Sequence, residues 1–436
     1  MRFFFTLILT LLFPLASLSL NKIYFWHSMA GQLGTELDNI VAKFNATQSD
    51  YAIVPVFKGN YSETLTATVA AFRAHQQPGI VQIFEVGTAT MINPAGVIVP
   101  LYQLMQMAKI PFDTQQFIPA VADYYSDSKG QLLAMPFNSS SAVMYYNKQA
   151  FQKAGINPDQ PPKTWTELAE DAKKIVNSGY SCGFTTAWPS WIQIETFSAW
   201  HNTPIATENN GFSPNGINAR MIFNNKIVLQ QITALKDWQK TSIFRYGGRE
   251  DNAETLFISG NCAMMMESSG SLRGLTDVVQ FPLGVAMLPY WENIPGAPQN
   301  TIIGGAALWA MKGFKSDVYH VIAHFFAFLA QPEIQALWSS ASGYIPTTNA
   351  AYQLLKKQGF YAKLPGAEIA IQELNYRPPK PYTKGLRLGN YSQIREINEE
   401  AIEAALSGAK SPQKALNDAV TKGNQLLKDF QEDIQD

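Results

Sequence analysis

Apolar runs alternate with stretches of helical periodicity over the first part of the chain. An apolar run at 22–26 predicts a strand, and apolar residues at helical spacing over 34–45 predict a helix after it. The order then repeats as a strand at 52–57, a helix at 62–75 and a buried strand at 80–84. Strands that alternate with helices of this length are typical of a mostly parallel α/β sheet.

Polar residues follow several of these predicted strands. They stand at 58–61, at Glu85, and at 138–140, where a further strand over 136–140 ends in hydroxyl side chains. In open α/β sheets, ligands collect at the carboxyl ends of strands. These positions are therefore the first candidates for a binding site.

The middle of the chain begins with a strand and a well-marked helix. A strand at 143–146 follows the hydroxyl cluster directly, and Thr164 is placed to cap a helix over 164–179. Glu167, three positions after Thr164, is its expected capping-box partner. Residues 180–300 are loop-rich, with strands expected only in scattered segments such as 262–266 and 284–288.

The remaining pattern predicts one more strand and long helices. The strand covers 301–309 and is interrupted by Gly304 and Gly305. A helix follows over 318–330, and the tail over 391–430 is helical with breaks near 408 and 412.

No flexible linker divides the chain, although its 436 residues are about three times the ~150 of a typical domain. We therefore expect an α/β fold of two lobes joined by several crossings, with a hinge between them and a ligand cleft at the crossing. The predicted N-terminal lobe comprises 20–136 plus 305–350, and the C-terminal lobe 137–304 plus 351–436.

Composition and charge narrow the possible partners. Hydrophobic residues make up 46% of the chain and charged residues 15%, which fits a large globular protein rather than a disordered one. The formal net charge of −1 offers no basic field for nucleic acid or an anionic membrane surface. We expect no nucleic-acid partner and a monomer.

The N-terminus has the layout of a cleavable secretory signal. Arg2 precedes an apolar run over 3–15, and small residues follow at 16–19. Residues 1–19 are thus predicted to be a signal peptide, with cleavage after Ser17 or Ser19. No cysteine stands at the junction to accept a lipid, so the expected product is a soluble protein of the periplasm.

The two cysteines, Cys182 and Cys262, have neither the spacing of a redox motif nor that of a zinc site. In an oxidising compartment they form either a disulfide or two buried thiols. Both lie in strand-like segments of the same predicted lobe, which favours the disulfide.

Several residues outside the strand ends have the chemistry of ligand contacts. Arg387 lies between glycines, where its planar guanidinium can reach into a cleft and bind a phosphate or carboxylate; the alternative is a surface ion pair. Trp188 and Trp191 flank a proline and suit stacking against a polyol, although a core role is equally compatible with composition. Ser268 follows a strand in a serine-rich turn that can hold an anion or simply cap a helix.

Motifs of catalysis and metal binding are missing from the sequence. There is no GxSxG, HExxH, P-loop or GxGxxG pattern. His320 and His324 share a helix face, but no third metal ligand stands nearby. We expect no enzyme activity, no metal and no cofactor.

The passage over 136–165 resembles the segment in which sugar-type receptors of ABC importers cross between lobes. Across nearly the whole mature chain, the sequence resembles the glycerol-3-phosphate-binding receptors of these importers, within solute-binding family 1. The segments that carry the resemblance are 25–29, 58–61, 85–91, 124–128, 136–140, 302–306 and 384–390.

The resemblance implies a type II periplasmic-binding-protein fold and a function as the substrate-binding component of an ABC importer. The expected ligand is sn-glycerol-3-phosphate, and the expected partners are the transmembrane subunits of the permease. Carried over by position, the ligand-binding residues are Tyr61, Glu85, Ser140, Trp188, Trp191, Ser268, Gly305, Tyr344 and Arg387. In this interpretation Arg387 binds the phosphate and Glu85 the glycerol hydroxyls.

Three alternatives stay open from the sequence. A glycerophosphodiester such as glycerophosphocholine could place its cationic head on Trp188 or Trp191. A receptor for neutral oligosaccharides is disfavoured by Arg387 and the serine cluster. A secreted phosphodiesterase would need a metal site or a nucleophile with its base, neither of which the sequence supplies.

Overall fold

The computed structural model describes residues 21–364 and 366–435, so the predicted signal peptide lies outside the described residues. Helices pack around two separate β-sheets, which define two lobes. The strands are β1 (Asn21–His27), β2 (Tyr51–Phe57), β3 (Ile80–Phe84), β4 (Ile98–Val99), β5 (Met135–Ser140), β6 (Ala142–Asn147), β7 (Cys182–Thr186), β8 (Cys262–Ser268), β9 (Leu283–Ala286) and β10 (Gly304–Met311).

The first sheet is mixed. Its order is β2-β1-β3-β10-β4, with β5 also pairing with β10. The pairs β1–β2 and β1–β3 are parallel, whereas β10 runs antiparallel to β3, β4 and β5. The carboxyl ends of β3 and β5 therefore lie beside the start of β10, and this edge of the sheet faces the other lobe.

The second sheet has the order β7-β8-β6-β9. Strand β8 is parallel to β7 and antiparallel to β6. A disulfide joins Cys182 and Cys262, which are directly paired across β7 and β8 with their Cα atoms 4.6 Å apart. The structure thus agrees with the favoured alternative for the two cysteines.

Helices cover both sheets. They are α1 (Gly31–Asn45), α2 (Tyr61–Arg73), α3 (Thr88–Ile92), α4 (Leu101–Ala108), α5 (Pro119–Tyr124), α6 (Lys148–Lys153), α7 (Trp165–Asn177), α8 (Phe197–Trp200), α9 (Thr207–Gly211), α10 (Lys226–Gln239), α11 (Glu254–Ile258), α12 (Leu272–Val278), α13 (Ser316–Leu329), α14 (Pro332–Ser342), α15 (Asn349–Lys357), α16 (Phe360–Lys363), α17 (Ile369–Leu374), α18 (Tyr391–Leu406) and α19 (Pro412–Gln435). No helix within the described residues is long and apolar enough to cross a membrane.

Local signals in the sequence set several of these boundaries. Thr164 and Glu167 form the expected capping box at the start of α7. The tail breaks between α18 and α19, as predicted from Gly408 and Pro412. Helix α10 was missed, because its apolar positions lie in a region that reads as loop-rich.

Two predicted features require correction. The strand expected over 301–309 begins only at Gly304, so the glycine pair starts β10 instead of interrupting it. The boundary expected between 136 and 137 cuts through β5, which pairs with β10 in the first sheet. The crossing lies at Ser141, because β6 begins immediately after it in the second sheet.

The predicted boundary between 350 and 351 also falls inside an element. It divides α15, which packs against α14 and begins at the capping residue Thr348. The segment that stays with the first lobe is therefore longer than predicted. The assignment of the remaining segments to lobes stays a prediction.

The chain segments that cross between the two lobes are hydrogen-bonded to one another. The Ser141 hydroxyl donates to Thr301 Oγ1 at 2.7 Å, so the first crossing is held against the segment that returns to β10. The Thr301 amide donates to the Glu373 carbonyl of α17, at 3.3 Å. These bonds place the chain's crossings side by side next to the cleft.

Candidate functional site

A cavity of about 200 Å³ lies between the two lobes, beside the crossings. Its wall is built from the ends of β3, β5 and β8, the start of β10, and loops of both lobes. Eight of the nine residues predicted to contact a ligand line it: Tyr61, Glu85, Ser140, Trp188, Trp191, Ser268, Gly305 and Tyr344. Their role in ligand binding stays a prediction.

Two phenols form one side of the cavity. Tyr61 begins α2 under the Asn60 capping box, and its ring lies parallel to that of Phe84 with centroids 5.4 Å apart. The Tyr61 hydroxyl accepts a bond from Asn138 Nδ2 at 2.8 Å and lies 3.5 Å from the Tyr344 hydroxyl. Burial raises the pKa of Tyr61 well above its usual value. Both phenols are therefore protonated donors at neutral pH.

Tyr344 is presented by the turn that ends α14. Gly343 takes φ +86°, a left-handed conformation that glycine adopts without strain. The Tyr344 ring stacks on Trp338 with centroids 6.1 Å apart. Burial raises the pKa of the Tyr344 hydroxyl as well.

The start of β10 brings backbone close to the cavity. Gly305 has φ +90°, and a Cβ there would lie 1.8 Å from the Asn138 carbonyl oxygen. At Gly304 a Cβ would lie 2.5 Å from Trp191 Cζ2. Both glycines are thus required by close packing, and Gly304 leaves room for the indole on the cavity wall.

Trp188 and Trp191 form an aromatic wall from the second lobe. Trp188 adopts φ +43°, a left-handed conformation that non-glycine residues rarely hold without support from their surroundings. Trp191 starts a π-helical turn over Trp191–Thr196. Single π turns occur frequently at functional sites.

Ser268 forms a small polar turn at the end of β8. Its hydroxyl accepts a bond from the Gly270 amide at 3.1 Å. Ser271, which directly precedes α12, makes no capping bond with its side chain. The capping interaction therefore belongs to Ser268, while Ser271 lines the cavity.

Arg395 is the charged cavity residue that sequence reasoning missed. It lies one turn into α18, and its side chain is 13% exposed. Nε and Nη2 bind the two oxygens of Glu195 at 2.9 and 2.7 Å, and Nη2 also binds Glu85 Oε1 at 2.6 Å. None of the hydrogen bonds among the described residues uses Nη1, which leaves it available to a ligand.

The Glu85–Arg395–Glu195 cluster is electrostatically coupled. Burial raises the pKa of Glu85, and the charge of Arg395 works against this rise. Burial alone would lower the pKa of Arg395, but Glu195 and Glu85 outweigh it and raise that pKa well above its usual value. Arg395 therefore stays charged, and Glu85 takes up a proton more readily than an exposed glutamate.

Further carboxyl groups border the aromatic wall. Asp251 and Glu267 line the cavity near Trp188. Burial raises the pKa of Glu267 well above its usual value, with the charges of Glu254 and Asp251 adding to the effect. One Glu267 oxygen accepts from the Ser268 amide, while Oε2 is buried without a partner.

Arg387 is not part of this cavity, contrary to the prediction. Its Nη2 donates to the carbonyl oxygens of Tyr124 and Ser126, the latter at 3.0 Å, and the guanidinium lies 4.5 Å from the Phe212 ring centre. It lines a different cavity together with Asp127. Two backbone carbonyls and an aromatic face contact the guanidinium there, while its Nε is buried without a partner among the described residues. Arg387 therefore ties the second lobe to Tyr124 and Ser126.

One signal in the sequence points to Arg395. The stripe of apolar residues along the tail helix includes Ile394 and Ile402, and both are buried. Arg395 stands at the edge of that stripe, where a charge must find a buried partner. The flanking glycines of Arg387 were the more visible signal, but they mark packing against Tyr124 and Phe430 instead.

The described residues contain no group of three or more His, Cys, Asp or Glu side chains arranged to hold a metal ion. His320 and His324 lie on the exposed face of α13, far along the first lobe from the cleft.

Comparisons with known proteins identify relatives over almost the whole chain. The family model described as bacterial extracellular solute-binding protein matches residues 39–368. The sn-glycerol-3-phosphate-binding periplasmic protein UgpB of Yersinia enterocolitica is 50% identical, over 97% of this chain and 96% of that protein. UgpB of Salmonella typhimurium is 49% identical, over 98% and 97% of the two chains.

Solved structures with lower sequence identity share the fold. UgpB from Mycobacterium tuberculosis in complex with glycerophosphocholine has a TM-score of 0.78 at 22% identity, covering 94% of this chain and 99% of that one. Maltose-bound MalE3 from T. maritima has a TM-score of 0.73 at 20% identity, covering 93% and 99%. The predicted two-lobed α/β solute-binding fold is confirmed.

Members of this family are binding proteins of ABC importers and not enzymes, and they are extracellular or periplasmic. The match to the family model and the identity of about half of all residues to the UgpB proteins lead to the same assignment. This chain belongs to the bacterial extracellular solute-binding proteins, in the family of the UgpB periplasmic proteins.

Proposed function

We propose that this protein is the soluble substrate-binding component of an ABC importer and that it binds sn-glycerol-3-phosphate in the cavity between its lobes. The identity to UgpB proteins supports the ligand class. In this proposal the ligand stabilises the closed arrangement of the lobes, which the permease then recognises.

The observation that carries the proposal is the position of Glu85 beside Arg395. Glu85 Oε1 is bonded to Arg395, and both side chains line the cavity. A free carboxylate oxygen accepts bonds from hydroxyl groups, and a free guanidinium nitrogen donates to a phosphate oxygen. The pair therefore offers both kinds of group that a polyol phosphate requires.

Neutral donors complete the phosphate end of the proposed site. They are the hydroxyls of Tyr61 and Tyr344, the hydroxyls of Ser140 and Ser268, and the backbone amide of Gly305. Because one guanidinium carries only one positive charge, several neutral donors must share a phosphate dianion. A proton on Glu85 or Glu267 would reduce the remaining repulsion, and the raised pKa of each carboxyl favours this state.

The aromatic wall limits the shape of the ligand. Trp188 and Trp191 offer flat apolar faces to the carbon chain of glycerol, and the cavity of about 200 Å³ suits a small ligand. Hydroxyl-binding groups discriminate strongly, because an analogue lacking the hydroxyls would leave Glu85 without the hydrogen bonds that the glycerol hydroxyls donate.

The cellular setting follows from the same proposal. We propose that the mature protein works in the periplasm after removal of residues 1–19, as a monomer that meets the transmembrane subunits of its permease. The periplasmic location of the UgpB relatives supports this.

A glycerophosphodiester with a cationic head is the second candidate ligand. Trp188 stands beside Asp251 and Glu267 on the cavity wall, and aromatic faces next to carboxylates suit a quaternary ammonium group. The M. tuberculosis UgpB of the same fold was crystallised with glycerophosphocholine.

Isothermal calorimetry of the mature protein, stripped of bound ligand, tests the proposal. Glycerol-3-phosphate, glycerophosphocholine and maltose are titrated in parallel. The proposal predicts saturable binding of glycerol-3-phosphate and none of maltose, while preference for the diester would favour the second candidate. Silence with both phosphate compounds would overturn the proposed ligand class.

A further inference from the structure

The loop over 247–252 connects the cavity to a surface ion pair. It enters at Gly247 and Gly248, the latter with φ +114°, and leaves into α11. Asp251 from this loop lines the cavity. Asn252 Nδ2 donates back to the Arg249 carbonyl at 2.8 Å, which closes the loop on itself.

Arg249 anchors this loop to α18. Its Nε and Nη2 bind the two carboxylate oxygens of Glu403 at 2.8 and 2.6 Å, and the Tyr246 hydroxyl donates to the same carboxylate at 2.8 Å. A bidentate pair fixes orientation as well as distance. Because α18 also carries Arg395, the loop and the cavity guanidinium share one rigid support.

The anchored loop holds the backbone of the aromatic wall. The Trp188 amide donates to the Glu250 carbonyl at 2.7 Å. Both residues have left-handed backbones, with φ +43° at Trp188 and +48° at Glu250. Such conformations persist only where the surroundings fix them, and here each residue holds the other.

The same loop reaches the other lobe. Glu250 Oε1 accepts a bond from Asn60 Nδ2 at 3.4 Å, and Asn60 caps the helix that begins with Tyr61. The loop thereby contacts both walls of the cleft at its edge.

We infer that Arg249 and Glu250 are positioning residues for ligand recognition. The Arg249–Glu403 pair fixes the loop, and the Glu250 carbonyl then holds Trp188 with its indole against the cavity. The expected effect of these residues on ligand affinity rests on the proposed function. Their expected effect on the position of Trp188 does not depend on any ligand. Neither residue needs to touch the ligand.

Two variants, Arg249→Gln and Glu403→Gln, break the pair from opposite sides. Acrylamide quenching of tryptophan emission is measured without ligand in the wild type and in each variant. The contribution of Trp188 is obtained by subtracting the emission of the same protein carrying Trp188→Leu. We expect Trp188 to become more accessible in both. Lys240→Gln is the matched control, since it removes an exposed pair with Asp237 on α10 and should leave the quenching unchanged.

Calorimetry with glycerol-3-phosphate then measures coupling to Trp188. Breaking the pair should weaken binding by about fivefold in the wild type and by less than about twofold in the Trp188→Leu background, a difference typical of coupled neighbours. A purely structural role would give equal losses in both backgrounds and overturn the inference, as would unchanged quenching in both variants. If the wild type fails to bind, the proposed function fails, and the quenching result still decides this inference.

Discussion

Arg395 lines the cavity, and its side chain is largely buried. It is held by two carboxylates, Glu85 and Glu195, and one of its terminal nitrogens stays available to the cavity. Replacing a buried arginine alters both the fold and the site, because its partners lose their counter-charge. A conservative variant separates these effects better than truncation.

Arg395→Lys keeps a positive charge but loses the planar fork that binds Glu195 through two nitrogens. We expect the affinity for glycerol-3-phosphate to fall by at least about tenfold, ~1.4 kcal/mol, in calorimetric titrations. Arg387→Lys is the control, because that guanidinium binds backbone carbonyls away from the cavity, and its affinity should stay within about twofold of wild type. A larger loss for the Arg387 variant would reverse the assignment.

Gly304→Ala tests the packing of the aromatic wall. The new methyl group would lie 2.5 Å from Trp191 Cζ2, so the indole must move into the cavity or β10 must shift. We expect weaker ligand binding and a lower melting temperature. Gly274→Ala, at an exposed helix position with no neighbour within 4 Å of the new Cβ, should leave binding unchanged. Equal affinity of the Gly304 variant and wild type would contradict this role of the glycine.

At the scale of elements, the disulfide joins two neighbouring strands of the second sheet. It links β7 to β8 across a sequence separation of 80 residues. A cross-link of this kind stabilises mainly by restricting the unfolded chain. The bond is buried between strands, so its loss should affect the second lobe and leave the chemistry of the cavity intact.

The double variant Cys182→Ser with Cys262→Ser should lose about 2–4 kcal/mol of unfolding free energy. Urea denaturation monitored by circular dichroism measures this loss. Wild-type protein unfolded in dithiothreitol should match the variant, whereas the variant itself should not respond to the reductant. An unchanged urea midpoint in the variant would contradict the stabilising role of the bridge.

Helix α17 places a carboxyl group against the crossing segments. Glu373 Oε1 accepts the Leu288 amide at 2.6 Å, while Oε2 is buried without a partner. Burial raises the pKa of Glu373 well above its usual value. Between the pKa of this carboxyl in the unfolded chain and its raised pKa in the folded protein, the native state therefore keeps a proton that the unfolded chain has lost. Stability from this group is complete at low pH and is lost as pH rises toward the folded pKa.

Glu373→Gln keeps an acceptor for Leu288 and removes the ionisation. We expect the free energy of unfolding to fall less between pH 5 and pH 8 in this variant than in wild type, as measured by urea denaturation at both values. Identical pH slopes for wild type and Glu373→Gln would show that this carboxyl does not titrate between the two states.

At the scale of the whole molecule, the lobes meet on two sides of the crossings. On the cavity side, Asn60 reaches Glu250, and Glu85 binds Arg395. On the other side, Arg387 reaches the carbonyls of Tyr124 and Ser126. A ligand that binds both lobes adds to the first set of contacts, and it raises the melting temperature further as its concentration increases above the dissociation constant.

The sequence predicted the two-lobed fold because strand and helix periods alternate clearly around the first sheet. Most of the cavity residues were carried over by position from the family resemblance, and Tyr61, Glu85 and Ser140 also stand at predicted strand ends. Arg395 was missed because its one signal is its place at the edge of an apolar helix stripe, whereas Arg387 stands between conspicuous glycines. The predicted lobe boundary was misplaced because the sequences of β5 and β6 fit a strand in either sheet. Only the observed pairing with neighbouring strands assigns each of them to its sheet.

A crystal structure of the protein with sn-glycerol-3-phosphate tests the central claim most directly. We predict that the phosphate lies within hydrogen-bond distance of Arg395 Nη1 in the cavity between the lobes, and that Glu85 accepts a bond from a glycerol hydroxyl. A phosphate bound at Arg387, or a ligand whose glycerol end faces away from Glu85, would contradict this account.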